Sequence, residues 1–222
     1  RRAALDAAMS AGAKQAYLID EPLAAAIGAG ITIAEASGNM ILDIGGGSAE
    51  TAVISLGGVV VHKSVRVGGN KLDEAIIEYA KRHHSLIIGE QTAEAVKLKI
   101  GSATKLAREE SMQVKGRDSV TGLPRTITLT SSDVLQAMTK PLAQIVGVVK
   151  AVLEETPPEL SSDIIDKGIV MSGGTATLRN LDTLLTKEVG VPAYVAEDPL
   201  LCVVKGTGRA MENIDLYQKA LK

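Results

Sequence analysis

Phenylalanine and tryptophan are absent from this sequence of 222 residues, and only four tyrosines supply aromatic rings. Proteins that bind single-stranded nucleic acid stack bases on such rings, so their scarcity argues against that class of function. Neither sign of charge dominates, because 24 Lys and Arg residues nearly balance 26 Asp and Glu residues. The chain therefore lacks the basic surface that attracts nucleic acid, and we expect no nucleic-acid partner.

Cysteine and long apolar runs are also scarce. The single cysteine, Cys202, excludes a disulfide within the chain and is typical of a reducing compartment, so we expect a cytoplasmic protein. The longest apolar run, around residues 52–61, is far shorter than the roughly 20 residues of a membrane-spanning helix. The chain begins Arg-Arg-Ala, without methionine, inside a helical pattern, and we expect it to be a piece of a longer protein.

Short apolar segments alternate with longer segments of helical periodicity, which is typical of an α/β fold. The predicted strands are residues 15–19, 40–44, 50–56, 59–66, 125–129, 169–171 and 193–195. The predicted helices are residues 1–13, 92–100, 131–155 and 178–189, with others beginning near residues 21, 72 and 199. Pro141 is expected to kink or split the longest helix. The helix at 92–100 is expected to carry its lysines on the exposed face.

The most informative segment joins two predicted strands through a triple-glycine turn, Asp43-Ile44-Gly45-Gly46-Gly47. Glycines allow backbone N–H groups to converge on an anion because no Cβ blocks the approach. Asp43, at the end of a buried strand, would then face phosphate oxygens with a divalent cation between them. An ordinary β-hairpin with a glycine-rich turn fits the same residues, and this motif alone does not separate the two interpretations.

A second glycine turn, Ser172-Gly173-Gly174-Thr175, follows the predicted strand at 169–171. Neither turn is a P-loop, because Gly-Lys-Ser/Thr is absent, and neither has the glycine spacing of a Rossmann fingerprint. Two glycine turns that each follow a buried strand would instead hold a nucleotide from two sides.

Five segments, in order and spacing, resemble the superfamily of actin, sugar kinases and DnaK-type chaperones, and within it the rod-shape-determining bacterial actins of the MreB family. These segments are residues 18–28, 42–47, 65–74, 171–174 and 196–200. The resemblance implies an α/β, actin-like ATPase fold of the ribonuclease H-like type, with a mixed five-stranded sheet and a small inserted α/β subdomain. It assigns residues 38–73 and 132–197 to the second-lobe core, 74–131 to the inserted subdomain, and 1–37 and 198–222 to part of the first lobe.

The resemblance also implies an ATP site with Mg²⁺. It assigns to the phosphates the residues of the first turn, namely Asp43, Gly45, Gly46, Gly47 and Ser48, and it places Asp43 near Mg²⁺ through water. It assigns Gly173 and Gly174 to the ribose and base, and Glu94 and Lys97 to the sugar edge. It assigns Glu21 to the attacking water. Two of these assignments have plainer alternatives. Glu21 could be a first-turn carboxylate favoured by the helix dipole. Glu94 and Lys97, spaced i,i+3, could be a surface ion pair.

Two departures from the family pattern bear on activity. The family commonly has two threonines after the glycines, whereas this chain has Ser48 and Ala49, and an alanine that cannot hold a water would slow hydrolysis. The family's first phosphate loop and its membrane-binding segments are not in this sequence, so we expect the isolated chain to bind ATP poorly and to be inactive alone. Apolar side chains of the first-lobe remnant are then expected to be partly exposed, namely Leu5, Leu18, Leu23 and Ile27.

The function that the resemblance implies is that of an ATP-binding cytoskeletal protein, a slow Mg²⁺-dependent ATPase in its intact form. Its partners would be further copies of itself in homopolymer filaments and the cell-wall elongation machinery. These filaments would organise cell-wall synthesis in the cytoplasm next to the membrane and so determine rod shape. The alternatives are a DnaK-type chaperone ATPase, a sugar or acetate kinase, and a scaffold that does not hydrolyse ATP.

Overall fold

The computed structural model describes residues 2–217; Arg1 and residues 218–222, which belong to the predicted first-lobe segments, lie outside the described residues. The helices are α1 (Arg2–Ser10), α2 (Glu21–Gly28), α3 (Gly69–His84), α4 (Glu90–Ile100), α5 (Ser131–Glu155), α6 (Pro158–Lys167), α7 (Leu181–Val189) and α8 (Cys202–Glu212). Short 3₁₀ turns cover Gly174–Thr177 and Pro199–Leu201. The strands are β1 (Asn39–Ile44), β2 (Ala49–Ser55), β3 (Gly58–Val65), β4 (Leu86–Ile87), β5 (Ser111–Asp118), β6 (Pro124–Thr130), β7 (Ile169–Ser172) and β8 (Ala193–Val195).

The larger sheet has five strands in the order β3-β2-β1-β7-β8. β2 pairs antiparallel with β1 and β3, whereas β7 pairs in parallel with β1 and β8. β1 is the central strand and is buried along its whole length, as expected of a strand covered on both faces of a sheet. The predicted mixed five-stranded sheet is confirmed.

A second, antiparallel sheet in the order β4-β5-β6 lies within residues 86–130. β5 was not among the predicted strands, because its residues are largely polar or charged and half of them are exposed. The predicted limits of the inserted subdomain, 74–131, stay a prediction. Helix α3 crosses the first of these limits, since it runs from Gly69 to His84.

Helices cover both faces of the larger sheet, and the alternation along β1 divides the core in two. Leu42 and Ile44 pack into an apolar cluster with residues of α3, α4, α5 and α7. Ile41 packs on the other face with residues of α2 and α8. Because successive strand residues point to opposite faces, Asp43 lies on the same face as Ile41. The carboxylate of β1 is therefore directed to the side of the sheet that α2 and α8 cover.

Helices α2 and α8 cross at very short distance. A Cβ on Gly28 would lie 1.7 Å from the carbonyl oxygen of Cys202, and a Cβ on Gly206 would lie 1.8 Å from that of Ala24. Arg209 Nη1 donates to the carbonyl oxygen of Ile27 at 2.8 Å, near the end of α2. The close crossing fixes α2, and with it Glu21, its first residue.

Two expectations for the N-terminal segment are wrong. The predicted strand at 15–19 does not form; only Ile19 makes an isolated bridge, and Tyr17 is 46% exposed. An apolar run becomes a strand only where a neighbour supplies the ladder, and this segment lies outside both sheets. Leu23 and Ile27 are 2% exposed rather than open to solvent, because α8 covers them, whereas Leu5 and Leu18 are partly exposed as expected.

Helix α5 runs unbroken past Pro141, so the proline does not split it. Its buried face packs against the sheet and neighbouring helices, which compensates for the lost backbone hydrogen bond. The helix begins with a capping box in which Thr130 Oγ1 accepts from the Asp133 N–H and the Asp133 carboxylate accepts from the Thr130 N–H. No helix within residues 2–217 has the length and apolar character needed to cross a membrane.

Candidate functional site

Asp43 lies next to the end of β1, at the junction of two neighbouring strands. It pairs in register with Glu50 of β2 on one side and with Ser172 of β7 on the other. Ser172 Oγ donates a hydrogen bond of 2.6 Å to Asp43 Oδ1. Burial raises the pKa of Asp43 above its ordinary value, the Ser172 hydrogen bond opposes this, and the charge of Glu50 raises the pKa further. Within residues 2–217 no basic side chain forms an ion pair with this buried carboxylate.

The triple-glycine turn after β1 is held from behind by helix α3. The Gly69 N–H donates to the carbonyl oxygen of Gly45 at 3.0 Å, and the Asn70 N–H donates to that of Gly46 at 2.9 Å. In a planar trans peptide the N–H points opposite to the C=O. The N–H groups of Gly46 and Gly47 therefore point away from α3, toward the exposed side of the turn. Two outward amides on a glycine turn are the arrangement that binds phosphate oxygens.

Gly68 allows this close contact between helix and turn. A Cβ at this position would lie 2.4 Å from the carbonyl oxygen of Gly45 and 2.8 Å from that of Gly46. Its backbone is extended, so the requirement for glycine comes from space and not from an unusual φ angle. The start of α3 is thus part of the site, because it sets the direction of the amides in the turn.

The second glycine turn meets the first at the end of β1. Gly173 has a φ of +84°, and a Cβ on it would lie 2.3 Å from the carbonyl oxygen of Ile44. Thr175 Oγ1 donates to the carbonyl oxygen of Gly45 at 2.9 Å and so ties the two turns together. Gly174 begins the following 3₁₀ turn. The structure brings the two sequence-predicted turns side by side.

Glu21 stands at the exposed first position of α2, on the same face of the sheet as Asp43. Partial burial raises its pKa above the ordinary value, and the negative charges of Glu50 and Asp43 raise it further. Three carboxylates therefore influence one another at this end of the sheet. Within residues 2–217 no cluster of three acidic, histidine or cysteine side chains is arranged to hold a metal ion. A cation here would need additional oxygen ligands, such as those of a phosphate.

Lys97 and Glu94 do not form the surface ion pair offered as an alternative. Lys97 is buried, and its Nζ donates to Asp73 Oδ2 at 2.8 Å and to the carbonyl oxygen of Gly69 at 3.3 Å. Glu94 is exposed one turn earlier on α4. The expectation that α4 carries its lysines on the exposed face is therefore wrong for Lys97 and holds for Lys99.

Lys97 also borders a cavity of about 50 Å³ between α4 and the second glycine turn. Its lining includes Gly174 and Thr175. The buried lysine consequently lies beside the second turn, whereas the structure places Glu94 at the surface.

Four side chains of this region were not predicted, namely Glu50, Asp73, Ser172 and Thr175. Ser172 and Thr175 flank the predicted glycines, but their partners are set by the parallel register of β1 and β7, which sequence does not reveal. Asp73 had a detectable signal, since it falls on the apolar stripe of α3. The position of Glu50 opposite Asp43 could be predicted from the antiparallel hairpin once the length of its turn is known.

Comparison with known proteins agrees with this architecture. A solved structure of MreB5 of Spiroplasma citri bound to AMPPNP superposes with a TM-score of 0.93 at 38% identity, covering 99% of this chain and 66% of that one. The MamK double helical filament structure gives a TM-score of 0.72 at 21% identity, covering 87% of this chain and 58% of that one, which shows the fold alone. The fold and the paired glycine turns define an actin-like α/β protein.

The sequence comparisons place it more narrowly. A family model described as MreB/Mbl protein matches residues 1–219. The cell shape-determining protein MreB of Escherichia coli (strain K12) is 52% identical over 217 residues, which cover 98% of this chain and 62% of that protein. The cell shape-determining protein Mbl of Bacillus subtilis (strain 168) is 48% identical over 219 residues, covering 99% and 66%. The chain belongs to the MreB/Mbl family and spans about 62% of the length of its Escherichia coli relative.

Proposed function

We propose that this chain forms the nucleotide-holding part of an ATP-binding, actin-like cytoskeletal protein that determines cell shape. The observation that carries the proposal is the convergence of two glycine turns beside Asp43, with the amides of Gly46 and Gly47 directed outward. The relatives support it: the Escherichia coli protein is named for determining cell shape, and MreB5 of Spiroplasma citri has been solved with AMPPNP and with ADP.

The residues around Asp43 fit a bound Mg²⁺. Mg²⁺ is usually held by one or two carboxylates together with substrate phosphates and water, and Asp43 is a buried carboxylate whose pKa is raised by burial and by the charge of Glu50. Asp43, through water, and the phosphates of the nucleotide would hold the ion. When bound, Mg²⁺ neutralises charge on the phosphates.

Other residues of the chain would contact the phosphates, the ribose and base, and the attacking water. The outward amides of the first turn bind phosphate oxygens, with Ser48 beside them at the turn. Gly173 allows the second turn to pack directly against the backbone of Ile44, and the ribose and base would lie along the backbone of Gly173 and Gly174. Glu21 accepts a hydrogen bond from the attacking water, and its raised pKa makes it a better proton acceptor. Glu94 would contact the sugar edge from the exposed face of α4.

We infer that the nucleotide site serves the assembly of this protein into filaments. The structural likeness includes MamK, which has been solved as a double helical filament. By the same architecture we propose that this protein forms homopolymer filaments in the cytoplasm that guide the cell-wall elongation machinery. Contact with the membrane would be made by segments outside this sequence, and nucleotide state would bias the filament-competent conformation.

A chimera tests the proposal. The 217 matched residues of Escherichia coli MreB are replaced by this chain, and the chimera is expressed in cells depleted of their own MreB. We expect rod shape to be restored by the chimera and by its Asp166→Asn variant, which alters an exposed carboxylate on α6. Asp43→Asn should not restore it. The purified chimera should bind ATP with Mg²⁺ and lose this binding with Asp43→Asn.

Other outcomes of this experiment would contradict the proposed function or favour one of the alternatives. A chimera that binds no ATP, or whose ATP binding ignores Asp43→Asn, would contradict the proposed site. Binding without hydrolysis would indicate a scaffold, and ATPase activity stimulated by unfolded peptides would indicate a DnaK-type chaperone. The isolated chain, measured in parallel, shows how much of the affinity its own residues supply.

A further inference from the structure

Lys97, which the resemblance assigns to the sugar edge, forms a buried ion pair with Asp73 between α3 and α4, and Asp73 has no role among those assigned above. Lys97 Nζ lies 2.8 Å from Asp73 Oδ2, and the two side chains are 10% and 11% exposed. The other carboxylate oxygen, Asp73 Oδ1, is buried without a hydrogen-bond partner among the described residues. Burying two charges is costly, and such pairs are not generally retained for stability alone. The pair therefore calls for a role in the site that it borders.

The ammonium of Lys97 lies where the parts of the nucleotide site meet. It donates to the carbonyl oxygen of Gly69 at 3.3 Å. The N–H of the same glycine holds the carbonyl oxygen of Gly45 in the first turn. Lys97 is also among the residues that line the cavity beside Gly174 and Thr175 of the second turn.

The charge of this place favours a neutral polar ligand group. Asp73 cancels the charge of Lys97, so the pair as a whole offers little attraction to a phosphate, for which an uncompensated cation is the usual partner. The cavity that Lys97 lines also borders Gly174 and Thr175 of the second turn, and the proposed function places the ribose against that turn. The sugar hydroxyls are the neutral polar groups of a nucleotide that this place would contact.

We propose that Asp73 is a positioning residue that holds Lys97 and cancels its charge, so that Lys97 donates to the sugar hydroxyls of the bound nucleotide and not to its phosphates. The proposal rests on the proposed function and adds to it a residue that affects sugar binding through Lys97. It predicts the direction in which the affinity for ATP changes when Asp73 is replaced. If Lys97 faces hydroxyls, removing the charge of Asp73 weakens ATP binding; if it faces a phosphate, the freed positive charge strengthens it.

The test compares ATP with 2′,3′-dideoxy-ATP in the chimera, using isothermal titration calorimetry. The unaltered chimera should prefer ATP by about tenfold, the worth of a hydrogen bond to a charged group. Asp73→Asn, which keeps the side-chain size, should reduce this preference to near one by weakening ATP binding alone. Glu74→Gln, an exposed change on the next residue of α3, should leave the preference intact. The double variant Asp73→Asn with Lys97→Met removes both charges and should show the same loss as Asp73→Asn.

Each other result overturns the inference. Equal weakening of both nucleotides would give Asp73 a structural role only, and tighter binding of both would place Lys97 against a phosphate. An unchanged preference in the double variant would remove Lys97 from the sugar site altogether. An unaltered chimera that fails to bind ATP would instead refute the proposed function, and this inference with it. The two failures are thus distinguishable.

Discussion

The crossing of α2 and α8 predicts opposite effects for two glycine-to-alanine changes on the same helix. Gly206 and Gly208 both lie in α8, where alanine is intrinsically about 1 kcal/mol more favourable than glycine. At Gly208 a Cβ would meet nothing within 4 Å. At Gly206 it would lie 1.8 Å from the carbonyl oxygen of Ala24, although real Cβ atoms essentially never approach closer than 3.0 Å.

The loss of stability expected for Gly206→Ala depends on which atoms must move to accommodate the new Cβ. The obstacle at Gly206 is backbone of α2, so relief requires the helices to separate by roughly an ångström, beyond ordinary overpacking of about 1–3 kcal/mol. Separation would also loosen Leu23 and Ile27, which are almost fully buried beneath α8. We expect Gly206→Ala to cost about 3 kcal/mol or more. At about 2–4 °C per kcal/mol for a domain of this size, the melting temperature should fall by about 6–12 °C.

Thermal and urea unfolding of the 222-residue chain, followed by circular dichroism, measures both changes. Gly208→Ala is the matched control and should raise the free energy of unfolding by about 1 kcal/mol. If Gly206→Ala were as stable as Gly208→Ala, the helices would not be in backbone contact. The arrangement that places Glu21 beside the sheet would then be wrong.

Four further changes probe the site and the smaller sheet. Glu21→Gln should slow ATP hydrolysis by the chimera about 10²–10⁴-fold with little change in ATP affinity, as steady-state kinetics and titration would show. Gly68→Ala should weaken ATP binding and cost about 1–3 kcal/mol of stability, whereas Gly89→Ala, at the equivalent helix start of α4 with free space around it, should do neither. Hydrogen bonds from backbone N–H groups of its own turn lower the pKa of Asp118 to about 2. Asp118 therefore stabilises the fold above its ordinary pKa near 3.9, and the deficit of Asp118→Asn in urea unfolding should disappear as the pH falls from about 4 to about 2. Ala49→Thr should leave the hydrolysis rate of the chimera unchanged.

Sequence patterns were sufficient for the central sheet and for both glycine turns. The apolar runs of β1 and β2 flank an unmistakable turn, and the strand before Gly173 is equally apolar. The strand predicted at 15–19 does not form because, although its composition is compatible with a strand, only Ile19 pairs with a neighbour among the described residues. The prediction missed β5 for the opposite reason. Its polar composition does not indicate a strand, but pairing with β6 makes it one.

Within the site, periodicity would have located the buried ion pair. The buried positions of α3 are Gly69, Leu72, Asp73, Ile76 and Ala80, and those of α4 are Ala93, Val96, Lys97 and Ile100. Each charged residue falls on an apolar stripe of helical spacing, which indicates burial with a partner. That the two stripes face each other could not be predicted, because it depends on how α4 packs against α3.

The strand register also changes the meaning of Ala49, where the resemblance implies a threonine. Directly paired residues of antiparallel strands point to the same face, so Asp43 and Glu50 share the face that α2 covers, while Ile44 and Ala49 share the opposite one. Ala49 is fully buried there among apolar side chains of the larger core cluster. It lies on the other side of the sheet from Glu21, and a hydroxyl in its place would not reach a water that Glu21 orients. The expectation of slowed hydrolysis therefore loses its physical basis at Ala49, and the properties of the site depend on the carboxylates and amides that face α2 and the two glycine turns.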